Sequence, residues 1–596
     1  MTTDYPVHHL GTQAHVLLAS VFGPYAQDDE YGSSTINPME LYHNQVTRVQ
    51  GVFSLRMFHR SFGLLMIKEN LDGPCTLLDF PDLDYFIENI QNNHYDIIGL
   101  SSIIPNVYKV KKMCELIRRY QPHAVIVVGG HISNMERVDQ IIDADHIVLG
   151  DGIEWFRRYL KQDISRPVKH PAVTSAFGTR ILGHTLSSKP GDGDTAAIVV
   201  PSVGCPMGCN FCSTSALFGG KGKFKNFYES GEELYEVMAD LEDKLNVTSF
   251  FIMDENFLLH RKRALSLLEL MKKNDKSWAL FVFSSGKVLR SYQVEQLVAL
   301  GITWVWMGIE GENSQYNKLA GIDTRSLVKN LQSHGIRVLG SSIIGLEEHT
   351  SENIDQAIDF AVSHDTDFHQ FMLYTANQGT PLHTQLKKKG TLLPMEEFKV
   401  SDSHGQYRFN HRHPHIPPGD EEKILVNAFK QDFTVNGPSL YRLIRTIFRG
   451  WQRYQASPDL RIRKRYMIDV APLRTMYAGA VWAMRKWYRK DDLLFAKLDN
   501  LLREIYAALG MQPRLVAPVA GRYIYFAMKR EEKRLAAGWS LEPETFLEKN
   551  LAAAKLSVCQ KTSTKSPEQP TRAKDSKSPG AMAPVRAHLS TDDAAQ

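Results

Sequence analysis

The sequence predicts an α/β chain in three parts: a doubly wound parallel sheet, a partial βα barrel, and a helical region. Three observations carry this. Short runs of Val, Ile and Leu alternate with helical patterns in two separate series. Many of these runs end on glycine or serine. The alternation stops near residue 400, where helical periodicity takes over.

The first series fills residues 1–165. Its strands are "HVLLASVF" (15–22), "CTLLDF" (75–80), "DIIGLSS" (96–102), "AVIVVGG" (124–130) and "HIVLGDG" (146–152). Near-continuous apolar strands suit a parallel sheet buried on both faces, and intervening patterns such as "VYKVKKMCELIRRY" (107–120) supply the crossover helices. Ligands of such sheets sit beyond the carboxyl ends of the strands. Those ends carry Ser101 and Ser102, Gly129 and Gly130, and Gly150 and Gly152. Glycine there admits close approach by a bulky ligand, or serves only a tight turn.

Residues 166–194, with "SSKPGDGD", read as a linker. The second series, 195–400, starts at "TAAIVVPSVGC". It continues through "SFFIMDEN" (249–256), "ALFVFSSG" (279–286), "ITWVWMGIEG" (302–311), "IRVLGSSIIGL" (336–346) and "FHQFMLYTANQGTPL" (368–382). Barrel chemistry gathers at the carboxyl ends of the strands. Residues 401–555 are helical, basic and aromatic, and the Ser/Thr/Lys/Pro/Ala-rich stretch 556–596 is expected to be disordered.

Composition narrows the function classes. Net charge is +4 and the hydrophobic share 43%, so no nucleic-acid partner is expected. The start "MTTDYPVHHLG" has no basic-then-apolar leader, and no run of about 18 apolar residues could span a bilayer. Outside one cluster only Cys75, Cys114 and Cys559 occur, which points to a reducing, cytoplasmic setting.

That cluster is "SVGCPMGCNFCSTSALFGG" (202–220), where Cys205, Cys209 and Cys212 form C-x3-C-x2-C behind the first strand of the second series. A structural zinc site wants four ligands and a disulfide two. Three thiolates suit a metal centre that keeps one position open.

Here the sequence resembles the radical S-adenosylmethionine (SAM) superfamily, whose signature has this spacing and an aromatic before the last cysteine, filled by Phe211. "IMDENF" (252–257) resembles the family's second-strand acidic motif and "MGIEG" (307–311) its fourth-strand motif. "SIIGL" (342–346) and "QGTPL" (378–382) resemble its closing strands, although Gln378 stands where proline is common. The resemblance implies a 4Fe–4S cluster on the three cysteines, and SAM near Phe211, Ser285, Glu310 and Gly345, with Glu310 toward the ribose. The amino-terminal part resembles the Rossmann-like cobalamin-binding domain of cobalamin-dependent members, through "VVGGHISN" (127–134) and "LGDGIEWF" (149–156). Cobalamin would then lie on Ser101, Ser102, Gly129, Gly130, Gly150 and Gly152. The D-x-H-x-x-G motif is absent, so a histidine ligand to cobalt is not expected.

The resemblance implies reductive cleavage of SAM to a carbon radical and methyl transfer to an unactivated carbon of a small molecule or a lipid. Hopanoid methylases belong to the same family. A radical cyclisation, C–C coupling or rearrangement is the alternative, and a cobalamin or iron–sulfur sensor the non-enzymatic one. A small electron-donor protein such as flavodoxin or ferredoxin is implied as a partner.

Three further stretches stay open. "FNHRHPHIPPGDEE" (409–422) sets His411, His413 and His415 at alternating positions, for a metal or as an exposed loop. "YHNQVTRVQGVFSLRMFHRSFGLLMIKEN" (42–70), with His43, His59 and Arg60, reads mostly as helix facing the sheet. Residues 441–490 hold thirteen Lys/Arg against two acids, with Tyr441, Ile444, Phe448 and Trp451 on one helical face beside Arg442, Arg445 and Arg449. That face either packs on the barrel, lies on the inner membrane surface as a peripheral contact, or binds single-stranded RNA.

Overall fold

The structure, a computed structural model, describes residues 5–23, 30–33, 51–53, 60–175, 196–310, 322–537 and 546–549. His43, His59, "SSKPGDGD" and the stretch from 556 lie outside the described residues.

The first series folds into β1 (Val16–Ala19), α1 (Phe62–Glu69), β2 (Cys75–Asp79), α2 (Leu83–Asn92), β3 (Ile97–Ser101), α3 (Val107–Tyr120), β4 (Val125–Gly129), β5 (His146–Ile147) and α4 (Gly152–Tyr159). The strands run parallel in the order β2-β1-β3-β4-β5. Successive strand residues point to opposite faces. Val16 and Leu18 meet Leu64, Leu65 and Phe156 on one side, while Leu17 and Ala19 meet Phe86, Ile90 and Val110 on the other. Both faces are covered, which is why the strands carry no polar alternation.

The predicted linker takes part in the next sheet. β6 (Thr174–Ser175) runs antiparallel to β7 (Ala196–Val199), and His170 Nε2 accepts the N–H of Val200 at 2.9 Å. A short segment laid along a sheet edge covers it, and this stretch does so without an apolar run to announce it.

The barrel continues through β8 (Ser202–Val203), α5 (Ser213–Leu217), β9 (Lys225–Asn226), α6 (Gly231–Leu245), β10 (Ser249–Ile252), α7 (Arg261–Lys273), β11 (Ala279–Ser284), α8 (Gly286–Leu289), α9 (Val294–Leu300) and β12 (Ile302–Gly308). It ends with α10 (Thr324–Ser333), β13 (Arg337–Ile344), α11 (Ile354–Val362), β14 (Phe368–Leu373) and α12 (Pro381–Lys389). Strands β7-β10-β11-β12-β13-β14 are parallel neighbours, making an open barrel. Ile198, Phe251, Phe281, Trp304 and Leu339 belong to one core. Phe250, Leu280, Val282, Val305 and Val338 pack with the outer helices in another.

The remaining helices are α13 (Asp420–Asn436), α14 (Ser439–Tyr454), α15 (Leu460–Val470), α16 (Met476–Trp487), α17 (Asp492–Leu509) and α18 (Met511–Ala536). One strand breaks this helical region: β15 (Phe546–Lys549) pairs antiparallel with β2 and so belongs to the first sheet.

The basic-aromatic helix α14 packs inward. Tyr441, Ile444, Phe448 and Trp451 are buried in the core shared with the barrel. Arg442, fully buried, donates to Asp432 Oδ1 and Oδ2 at 3.0 and 2.8 Å and to the Thr366 carbonyl at 2.8 Å. Arg445 pairs with Asp365 at 2.9 Å. The sequence shows cations beside an apolar face but not the acids that α13 and the α11–β14 loop bring to them. Removing one partner of a buried pair strands the other charge at a cost of about 3–5 kcal/mol. Asp432→Ala should therefore lower the midpoint of urea unfolding well beyond what the exposed Arg449→Ala does.

The histidine stretch is not an exposed loop throughout. His411 is buried beside Phe409, and His413 Nε2 lies 3.1 Å from the Leu346 carbonyl. Only His415 is exposed. Among the described residues no three His, Cys, Asp or Glu side chains are gathered to hold a metal ion, the loop cysteines included.

Candidate functional site

The cysteine loop leaves the barrel after β7 and β8 and ends at the start of α5. Gly208 adopts φ +66°, and a Cβ there would lie 2.5 Å from Lys221 Cβ, so only glycine fits this turn. None of the three cysteines is in a disulfide, and all are half-buried. Cys212 caps α5, its sulfur accepting the N–H of Ser215 at 3.5 Å. Burial pushes the Cys205 thiol up to about 11, with the charges of Cys212, Glu255 and Cys209 acting the same way. Burial raises Cys212 likewise. Thiols so placed ionise readily only against a cation, and three cysteines carried on one short loop, although not drawn to a common point here, are the donor type for iron–sulfur ligation. The loop is braced from the far side of the barrel. Phe211 meets Tyr374 edge-on at 6.1 Å, Asn210 donates to the Tyr374 hydroxyl at 3.1 Å, and Leu382 N–H donates to the Asn210 carbonyl at 2.9 Å.

The barrel strand ends carry a connected polar network. Asp254, beyond β10, accepts from Ser202 Oγ at 2.7 Å and pairs with buried Arg263. Asn256 joins it to β11, accepting from Ser284 Oγ at 3.1 Å and donating to Ser285 Oγ at 3.4 Å. Ser285 is thus tied to the acidic motif. Glu310, beyond β12, is buried in the left-handed region at φ +50°. A non-glycine residue held there marks a position the surroundings constrain. Gly345, at φ +80°, faces Phe409 so closely that a Cβ would lie 2.2 Å from its ring.

Between the two sheets lies a cavity of about 370 Å³. Its first wall includes Ser101, Gly129, Gly130, Gly150 and Gly152 with Gly63 and Gly99; its second includes Ser202, Thr214, Leu217, Met253 and Glu255. Apolar Leu18, Val127, Val148, Phe156, Val200 and Phe227 fill much of the rest. A Cβ on Gly63 or Gly150 would meet nothing within 4 Å, so their missing side chains leave open space, whereas a Cβ on Gly99, Gly130 or Gly152 would lie 2.9, 2.7 or 2.7 Å from Leu18, Ser102 or Ile67. Such a flat, glycine-floored cradle fits a corrin. Ser102 stands behind this wall: its carbonyl lies 2.7 Å from where a Gly130 Cβ would be. The cysteines, Phe211, Ser285, Glu310 and Gly345 do not line the cavity; the cysteine loop runs between Val203 and Thr214, which do. α1, the last part of the 42–70 stretch, lines it through Phe62, Leu64, Met66 and Ile67, while the first part of that stretch lies mostly outside the described residues.

Two polar straps fix the sheets across this space. Lys225 on β9 reaches Asp151 at 3.4 Å and Glu154 at 3.1 Å. On the other side Glu136 pairs with Lys387 and lies 3.6 Å from His383, and its N–H donates to Gln378 Oε1 at 3.0 Å. The glutamine that departs from the resemblance therefore makes an interdomain hydrogen bond that proline could not.

The Radical SAM superfamily model matches residues 199–361, and the B12 binding domain model matches residues 52–160. The chain thus carries a radical SAM domain behind a B12 binding domain. Such an enzyme works with a 4Fe–4S cluster, SAM and cobalamin. It is 24% identical over 430 residues to the uncharacterized methyltransferase PH0819 of Pyrococcus horikoshii, covering 65% of this chain and 90% of that one. It is 23% identical over 368 residues to the bacteriochlorophyllide d C-8(2)-methyltransferase of Chlorobaculum tepidum, covering 58% of this chain and 79% of that one. The solved structure of TsrM, a radical S-adenosylmethionine methyltransferase from Kitasatospora setae with cobalamin and a 4Fe–4S cluster bound, aligns at TM-score 0.49 and 14% identity. That alignment covers 77% of this chain and 98% of that one.

Sequence reasoning about this radical SAM protein missed Glu255 and His131, both in the cavity wall. Glu255 is exposed to the cavity, and the surrounding protein raises its carboxyl, with the Asp254 charge adding. The adjacent acids of "IMDENF" separate in role: Asp254 turns into the network while Glu255 opens into the cavity.

Proposed function

We propose that this radical SAM enzyme transfers a methyl group to an unactivated carbon of an apolar small molecule or lipid. Cys205, Cys209 and Cys212 would hold the cluster, with SAM reaching Phe211, Ser285, Glu310 and Gly345. Cobalamin would lie on Ser101, Gly129, Gly130, Gly150 and Gly152, and Ser102 would support Gly130 from behind. When bound, these groups supply a one-electron cleavage of the sulfonium and a transferable methyl. The chain's own work is to orient them and exclude water: apolar side chains dominate the space between the sheets, which protects radical chemistry from quenching. A small electron-donor protein would deliver the electron.

One observation supports this reading most. A single cavity takes one wall from the glycine-bearing strand ends of the first sheet and its other wall from the strands and helix flanking the cysteine loop.

Hydroxocobalamin titrated into reconstituted protein should bind and give a spectrum without a protein histidine ligand. Gly129→Val should fold, since a Cβ there meets only the Val148 carbonyl at 3.7 Å, but should crowd the cradle. Overpacking costs about 1–3 kcal/mol, so affinity should fall about tenfold or more. Incubation with SAM carrying a deuterated methyl should then label an apolar product. Absent cobalamin binding at saturating cofactor would sink the methyl-transfer reading.

A further inference from the structure

One face of α18 exposes five large apolar side chains. Met511, Leu515, Val519, Tyr523 and Phe526 are 65%, 66%, 68%, 59% and 66% exposed. Their spacing of four, four, four and three puts them in a single stripe. The opposite side of the helix, with Ala517, Ile524 and Met528, is buried in the core shared with α16. An exposed apolar stripe of this length marks a contact surface.

The stripe is set among cations. Arg514, Arg522, Lys529, Arg530 and Lys533 are exposed on the same helix, against Glu532 as its exposed acid. Exposed Lys486, Arg489 and Lys490 stand at the end of neighbouring α16. Lys486 lies 5.6 Å from the Trp482 ring and 4.8 Å from the Tyr525 ring, Arg522 lies 5.7 Å from Trp482, and Lys529 lies 5.1 Å from Tyr525. Large apolar side chains flanked by aromatic rings and long cationic stems suit the boundary between acyl chains and headgroups.

We propose that α18 docks this face on an anionic lipid bilayer. A second copy is a poorer occupant, because a two-fold contact along the stripe would bring Arg522 and Lys529 against cations of the same face. An anionic surface neutralises those charges while it takes up the apolar side chains. The contact is peripheral: among the described residues no helix is long and apolar enough to cross a membrane.

Full-length protein is sedimented with phosphatidylcholine vesicles, with and without phosphatidylglycerol. Binding should need the anionic lipid and weaken with salt. Leu515→Ser with Phe526→Ser, and separately Arg522→Glu with Lys529→Glu, should each lower vesicle affinity at least tenfold. Iron content and reductive SAM cleavage should be unchanged in both. Equal vesicle binding by these variants and the parent overturns the proposal. So does a parent that sediments as a dimer which the same variants dissociate, because the face would then be a self-contact. Vesicle binding is read without turnover, so its failure leaves the methyl-transfer reading standing.

Discussion

Replacing Cys205, Cys209 and Cys212 together with alanine should give a folded protein without iron–sulfur absorbance and without 5′-deoxyadenosine formation from SAM. The parent, reconstituted anaerobically, should hold about four irons per site. Folding should survive because the three side chains are only half-buried and lie outside the apolar core clusters. Cys212 also caps α5, and a lost cap costs about 0.5–2 kcal/mol, too little to unfold the barrel. The loop's brace through Phe211, Asn210 and Leu382 stays intact. Reductive SAM cleavage by the triple variant would refute the cysteine assignment.

Acid should destabilise the fold strongly between about pH 6.5 and pH 4. Burial lowers His369 to about 3, and His364, His404 and His411 each to about 4, from 6.5. The surroundings suit neutral rings: His364 Nδ1 lies 2.8 Å from the Phe360 carbonyl and Nε2 lies 2.8 Å from Thr324 Oγ1. His404 Nδ1 accepts the N–H of Gln406 at 3.2 Å. A depressed folded value means that the unfolded chain binds the proton first. The stabilisation is therefore complete above about 6.5 and is lost as pH falls toward the folded values. One unit below the unfolded value, each ring contributes a loss on the order of 1.4 kcal/mol. Tm should drop by several degrees from about pH 7.5 to about pH 5.5. Replacing His369 with Gln should flatten that dependence; an unchanged slope would show that the ring is not held neutral.

The strands were legible because burial on both faces writes itself as unbroken Val, Ile and Leu, and Leu17 and Leu18 serve opposite cores with the same residue type. The cysteine loop was legible from spacing. Pairing across long separations was not. Arg442 reads as a solvated cation until α13 turns Asp432 toward it. β15 has no apolar alternation and follows a long helix, so its place beside β2 comes from tertiary contact alone. The cavity is likewise a product of two sheets facing each other, and Glu255 gains its meaning only from that meeting.

The pairing of β15 with β2 also bears on biosynthesis. Phe546 sits under the Arg60 guanidinium at 4.0 Å, and Glu548 pairs with Arg60 at 3.0 Å and Lys68 at 3.3 Å. The amino-terminal sheet therefore waits for the last described strand of the chain to cover its β2 edge. While the ribosome makes the intervening barrel and helices, that edge offers unpaired backbone groups to any other strand. The amino-terminal unit is first to be made and last to be finished, so made without the chain's far end it would carry an uncovered β2 edge.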